Sequence, residues 1–210
     1  MKINKTYRLN HRYISPRVLR SRRRNYLFAL ICLFAGCYML VLSLAPRYPQ
    51  FAGGATQLIA PTVEATSAPS KDDGNRLIIE KLGLNLQFGP KEADLSSGAW
   101  NRYADRSNPE KGGNMVLAGH RFELGWTPQQ TKARSPFYRL DTMQAGDQIS
   151  LLFNGKTYHY QVTKLYNVEA KDVWVEDDSD EHKLTIYTCE LGGAEKGRVV
   201  IEALPIETQL

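Results

Sequence analysis

Twenty consecutive residues without a charge, Tyr26 to Ala45, constrain this chain more than any other stretch. They are rich in Leu, Ile, Phe, Val and Ala. As a helix rising about 1.5 Å per residue, such a run spans the roughly 30 Å hydrocarbon core of a bilayer. Residues 1–24 carry nine basic residues (Lys2, Lys5, Arg8, Arg12, Arg17, Arg20, Arg22, Arg23 and Arg24) and no acidic one, and only Arg47 follows the run closely. The positive-inside rule then places the N-terminus in the cytoplasm and everything beyond Ala45 outside the cell membrane. A cleaved signal peptide competes, because Ser43-Leu44-Ala45 is a small-x-small site. The run is longer than the usual apolar region of about 7–15 residues, which favours a retained single-pass anchor. Either reading exports the rest of the chain.

The net charge of +5 comes from that tail. Beyond residue 24 there remain 18 basic and 22 acidic residues, a net of −4. A nucleic-acid partner, which needs a basic face on the folded domain, is therefore not expected. Of three cysteines, Cys32 and Cys37 lie inside the apolar run and read as small membrane-helix residues. Cys189 is left as an odd thiol in an oxidising compartment, either reactive or an intermolecular partner.

The chain divides into a basic tail (1–24), an anchor (25–45), a linker (46–75) and a folded domain (76–210). The linker holds Pro46, Pro49, Pro61 and Pro69 with Gly53-Gly54 and many Ala, Ser and Thr, and it lacks periodicity. The tail has no apolar period and reads as disordered. From Arg76 onward short apolar runs alternate with Gly and Pro turns. Asn114 to His120 reads as a buried-type strand, Ala99 to Tyr103 as a turn of helix and Phe122 to Arg134 as a polar loop. A short helix is expected to begin at Ser135-Pro136. Gln148–Phe153 and Lys156–Val168 flank Asn154-Gly155, the dipeptide favoured in type I′ hairpin turns. A long acidic connection follows, then strands at Lys183–Cys189 and Gly197–Leu204. Many short strands with no long helical period predict an all-β sandwich or barrel.

Cys189 ends a strand. A thiol attacks as its thiolate, so it needs a basic or cationic neighbour. His159 lies on the polar face of a strand and His182 in the acidic loop, and both read as solvated. His120 ends an apolar strand directly after Gly119, where close approach of another group is possible, and it stands as either catalytic or structural. A thiolate attacking an amide also needs a partner for the developing oxyanion. Arg198 opens the strand nine residues after Cys189. If the two strands pair antiparallel, Cys189 and Arg198 come together; otherwise Arg198 is an edge residue reaching to solvent.

Leu117-Ala118-Gly119-His120-Arg121, Thr185-Ile186-Tyr187-Thr188-Cys189 and Arg198 in Gly-Arg-Val-Val resemble the three signatures of the sortases, membrane-anchored cysteine transpeptidases. Ile186 stands where that family carries Leu. The resemblance runs from about Arg76 to Leu204 and includes the Gly146-Asp147 turn before a strand. It implies a closed or nearly closed eight-stranded β-barrel with a few short helices, preceded by one transmembrane helix. It implies Cys189 as nucleophile, His120 as general acid and Arg198 as substrate and oxyanion support, with Thr188 helping to position substrate or form the oxyanion site. The implied substrates are secreted proteins with a C-terminal Leu-Pro-x-Thr-Gly-like signal. The implied acceptor is an amine of a cell-wall precursor or of a pilin lysine, and the lipid bilayer is a partner through residues 26–45. No cofactor is implied. Some sortases bind calcium near a loop equivalent to the acidic stretch Asp172 to Glu181, but no ligand spacing here supports it. Two alternatives stay open: a hydrolase with water as acceptor, and a tethered, non-catalytic barrel that binds cell-surface peptides.

Overall fold

In the computed structural model of the protein, residues 16–48, 74–96 and 98–206 are described. Most of the expected linker, residues 49–73, lies outside them. The chain divides into an N-terminal unit up to Val41 and a second unit from Leu42.

Helix α1 runs from Pro16 to Leu44. Its stretch Arg24–Leu44 is long and apolar enough to cross a membrane. Large side chains such as Leu27, Phe28, Ile31, Phe34 and Leu40 are exposed along it. The helix starts well before the apolar run, so Arg17 to Arg24, part of the tail expected to be disordered, is helical, while residues 1–15 of that tail lie outside the described residues. Pro16 suits the first helical position, because its missing N–H is one that no intrahelical carbonyl would accept.

The second unit is an all-β barrel of eight strands: β1 (Arg76–Ile79), β2 (Leu84–Gly89), β3 (Ala99–Asn101), β4 (Asn114–Ala118), β5 (Gln148–Phe153), β6 (Lys156–Val168), β7 (Lys183–Glu190) and β8 (Gly193–Pro205). Going round, the order is β1-β2-β3-β4-β7-β8-β6-β5, and β5 pairs back onto β1 to close it. Closure removes every sheet edge. The β5–β6 hairpin turns at Asn154-Gly155 with positive φ at both residues, as the dipeptide predicts. Most pairs are antiparallel, but β4 runs parallel to β7. That parallel pair requires the long excursion between residues 118 and 183, which builds β5 and β6 on the way.

Alternation sorts the strands into two faces. Leu77, Ile79, Leu117, Ile149, Leu151, Leu184, Ile186, Ile201 and Ala203 fill the interior. Val116, Ala118, Tyr187 and Val200 point the other way and form a second cluster with Val175 outside the barrel. The loop after β3 (102–113) and the loop after β6 (169–182) flank this outer cluster: Tyr103 packs against it, and Val175 lies in a 3-10 helix over Val173–Glu176.

Three local expectations are corrected. Ala99–Asn101 is a strand, not a helical turn, because β2 and β4 on either side take up its backbone groups. Helix α2 occupies Pro128–Arg134, within the stretch read as a loop, and Thr127 caps it by accepting from the Gln130 N–H. The segment after Ser135 makes turns and a 3-10 helix over Leu140–Thr142 in place of the expected helix.

Candidate functional site

Three neighbouring strands bring the candidate residues to one end of the barrel. In the parallel β4–β7 pair the last register partners are Ala118 and Tyr187. His120 and Cys189 each lie two residues beyond, so they leave adjacent strands at the same level. Strand neighbours lie about 4.8 Å apart, and the Gly119 N–H still donates to the Tyr187 carbonyl at 3.3 Å. On the other side, β7 and β8 are antiparallel and Cys189 is the direct register partner of Arg198. The antiparallel condition set by the nine-residue spacing is therefore met. A bulge follows immediately, between Cys189 and Glu190, and such bulges re-aim side chains at strand ends. Cys189 is a free, partly exposed thiol.

The parity of β7 separates Thr188 from its neighbours. Leu184, Ile186 and Thr188 share the inner face, and Tyr187 and Cys189 the outer one. Thr188 is 1% exposed, and its hydroxyl donates to the Gly119 carbonyl at 2.8 Å. This bond ties the backbone before His120 to the backbone before Cys189. Gly119 serves close approach, since a Cβ there would run into the ring of the buried Phe137. Phe137 in turn donates its N–H to the His120 carbonyl at 3.1 Å.

His120 Nε2 lies 3.4 Å from Glu123 Oε2, and both side chains are about two-fifths exposed. Arg198 donates through Nη1 to the Ala170 carbonyl in the loop after β6. Its guanidinium carbon lies 5.7 Å from the centre of the Tyr187 ring. The other histidines lie elsewhere. His159 on β6 sits 3.0 Å from Ser150 Oγ across the β5–β6 pair. His182 packs so closely on Gly112 that a Cβ there would collide with its imidazole.

Sequence reasoning missed three residues. Arg121, directly after His120, is only 5% exposed. It forks to Asp141 at 2.6 Å and to Glu190 at 3.4 Å. Since Glu190 follows Cys189, this buried cation clamps the histidine segment to the cysteine strand. Glu176, 8% exposed, accepts from Tyr187 Oη at 2.6 Å and from Tyr103 Oη at 2.7 Å. Burial and the bond to Glu176 push the Tyr187 phenol well above its ordinary pKa. For Arg121 and Glu176 the signal is a charge in or beside an apolar run. Their partners lie 20 and 69, or 11 and 73, residues away.

The acidic stretch after β6 meets arginines. Arg102 Nε lies 3.2 Å from Glu176, and Arg106 Nε 3.8 Å from Asp178. Arg106 also donates to the Glu176 carbonyl at 2.6 Å. Two guanidinium groups on the loop after β3 thus hold the loop after β6. Among the described residues, no cluster of three or more His, Cys, Asp or Glu is placed to hold a metal ion.

A partly exposed thiol, an imidazole just beyond the end of the adjacent strand and a guanidinium across the ladder make a set whose chemistry suits covalent acyl transfer. Groups of these three kinds can act as a nucleophile, a proton carrier and a donor fork for a carbonyl oxygen.

Comparison with known proteins agrees with this architecture. Residues 77–206 match the sortase domain family. Sortase A from Listeria monocytogenes is 23% identical with a TM-score of 0.51, covering 63% of this chain and 86% of that one. A lid mutant of sortase A from Corynebacterium diphtheriae is 19% identical with a TM-score of 0.54, covering 83% and 96%. A Clostridium perfringens sortase D5 transpeptidase is 22% identical with a TM-score of 0.52, covering 79% and 98%. At these identities the likeness to solved structures carries the fold alone. No curated protein sequence matches significantly.

Proposed function

The chain belongs to the sortase family, and from that premise we propose that it is a cysteine transpeptidase acting on secreted proteins with a C-terminal Leu-Pro-x-Thr-Gly-like signal. The observation that carries this reading is the placement of Cys189 opposite Arg198 in the β7–β8 ladder, with His120 leaving the adjacent strand β4 at the same level.

The Cys189 thiolate attacks the carbonyl carbon of the signal's Thr, in the bond from Thr to Gly. The Arg198 fork steadies the substrate backbone and the oxyanion. When the tetrahedral adduct collapses, the C–N bond breaks and His120 gives its proton to the departing amine. The acyl group is left as a thioester on Cys189. An amine of a cell-wall precursor or a pilin lysine then attacks the thioester, its N–H proton returning to His120, and the thiolate leaves. Covalent catalysis thereby divides one difficult acyl transfer into two easier ones. Thr188 contributes by holding Gly119, and with it the path of the chain into His120.

In this reading residues 1–24 are cytoplasmic, 25–45 form the membrane anchor, 46–75 are an extracellular linker and 76–210 are the catalytic domain. The test uses a fluorogenic Leu-Pro-Ala-Thr-Gly peptide with and without triglycine as the amine. Wild-type protein is expected to release the fluorophore and to form the acyl–triglycine product, and Cys189→Ala to do neither. Activity retained in Cys189→Ala would overturn the proposal. Release unaffected by the amine, with no amide product, would make the protein a hydrolase.

A further inference from the structure

The outer face of β7 carries Tyr187 two residues before Cys189, and the two interactions of the Arg198 guanidinium both lead back to one buried carboxylate. The first is the Tyr187 ring, whose hydroxyl donates to Glu176 Oε1 at 2.6 Å. The second is the Ala170 carbonyl, six residues before Glu176 in the same loop. Glu176 is itself held on several sides. Its other oxygen accepts from Tyr103 and faces Arg102, and its backbone carbonyl accepts from Arg106. We propose that Glu176 and Tyr187 are positioning residues that act through Arg198, the tyrosine ring as a shelf for the guanidinium and the carboxylate as the anchor of both shelf and loop. This rests on the reading that Arg198 serves acyl transfer.

Three physical points support it. A cation over an aromatic face within about 6 Å is attracted by the ring quadrupole. A phenol whose O–H donates to a carboxylate holds more negative charge on its ring, which strengthens that attraction. Finally, cover for the outer cluster of Val116, Ala118, Val175 and Val200 needs only an apolar side chain. A carboxylate in that place carries a desolvation cost that apolar cover avoids. Its bond to the hydroxyl of the ring under Arg198 gives it a purpose that cover alone does not.

Arg198 has few other means of orientation. The register slips directly after Cys189, and pairing resumes only at Glu190 and Gly193. Gly197 before it has a φ of 131° and no side chain, its Cβ position being blocked by the Val168 carbonyl. The ladder fixes the Arg198 backbone between Val168 and Cys189 but not the far end of its long side chain, and the pair supplies that hold.

The test is a double-mutant cycle on the full-length protein in detergent micelles. Tyr187→Leu, Tyr187→Phe and Glu176→Gln are each made in wild-type and Arg198→Lys backgrounds, with kcat and KM read on the Leu-Pro-Ala-Thr-Gly peptide and Tm recorded for every variant. In the wild-type background Tyr187→Leu is expected to lower kcat/KM about tenfold, roughly the size of one oriented charged contact. Tyr187→Phe, which keeps the shelf and loses the link to Glu176, and Glu176→Gln are expected to fall between. In the Arg198→Lys background the same changes are expected to cost less than about twofold, because the fork they orient is gone. Equal losses in both backgrounds would mean a structural role and would overturn the proposal.

A second measurement needs no activity. The Arg198 side-chain protons over the Tyr187 ring are expected to show upfield NMR shifts that relax in folded Tyr187→Leu and persist in Tyr187→Phe. Unshifted Arg198 protons in wild-type protein would overturn the positioning role. A wild-type protein that leaves the peptide intact would overturn the enzyme reading, and the NMR shifts would still decide the geometry.

Discussion

The two faces of strand β7 make opposite uses of the same backbone. Leu184 and Ile186 point inward, fully buried among aliphatic neighbours from β1, β4, β5 and β8. Tyr187 and Cys189 point outward, toward arginines, a buried carboxylate and solvent. The inner face is chemically uniform, so many aliphatic combinations of the right volume would serve it. The outer face depends on particular groups in particular places. Thr188 belongs to the inner face by position, yet its hydroxyl reaches the Gly119 carbonyl and links the two uses. Stability and chemistry are thus separable along one strand except at that residue.

The sharpest break of this comparison pairs Cys189→Ala with Ile186→Ala. The first is expected to abolish peptide cleavage while moving the unfolding free energy by less than about 0.5 kcal/mol, as for substitutions away from packed or networked features. The second is expected to cost about 2–5 kcal/mol through the cavity it leaves, read by urea denaturation. A large loss of stability in Cys189→Ala would erase the distinction. Next in size, Arg198→Lys on the outer face is expected to reduce kcat/KM about 10- to 100-fold with an unchanged Tm, since an ammonium cannot reproduce the guanidinium fork. Near-normal turnover would mean that only the charge matters.

Thr188→Val tests the linking residue. It removes the donor to a buried carbonyl and is expected to cost about 1–3 kcal/mol, together with a fall in kcat that a matched inner-face change such as Leu184→Val does not produce. Loss of stability without loss of kcat would confine Thr188 to the inner face.

The smallest effect is alkaline. Burial lifts the Tyr160 phenol inside the barrel to about 12. On the outer side, burial and the bonds to Glu176 and Glu202 lift Tyr187 and Tyr166. Each folded-state pKa lies above the unfolded value of about 10. Their contribution is therefore complete below pH 10 and lost as pH rises toward the folded values. The urea midpoint is expected to fall between pH 9 and pH 11, and Tyr187→Phe to make that fall shallower. An unchanged slope in Tyr187→Phe would assign the alkaline sensitivity to the other tyrosines.

Much of the fold was legible in the residues. The Asn154-Gly155 hairpin, the apolar run at 26–45 and the alternation in β6 each carry a local signal: turn chemistry, length without charge, and period two. The short elements misread were those whose state depends on neighbours. Ala99–Asn101 has no strand period of its own and is extended because β2 and β4 pair with it. Helix α2 did carry a local signal, Thr127 before Pro128, in a stretch whose polar composition hid it.

For the site, the sequence alone determined the residue types and their order: a Cys189 that is the one cysteine beyond the apolar run, a histidine after Gly119 and an arginine after Gly197 in the last strand. These are properties of single positions and short spacings. Tertiary structure alone decided that β4 runs parallel beside β7, that Cys189 faces Arg198, and that Thr188 turns away from Cys189 toward Gly119. It also decided that Arg121 and Glu176 are buried ions with partners on distant elements. The physical reason is that a buried charge persists only where partners converge on it. In this molecule that convergence is made by closing the barrel.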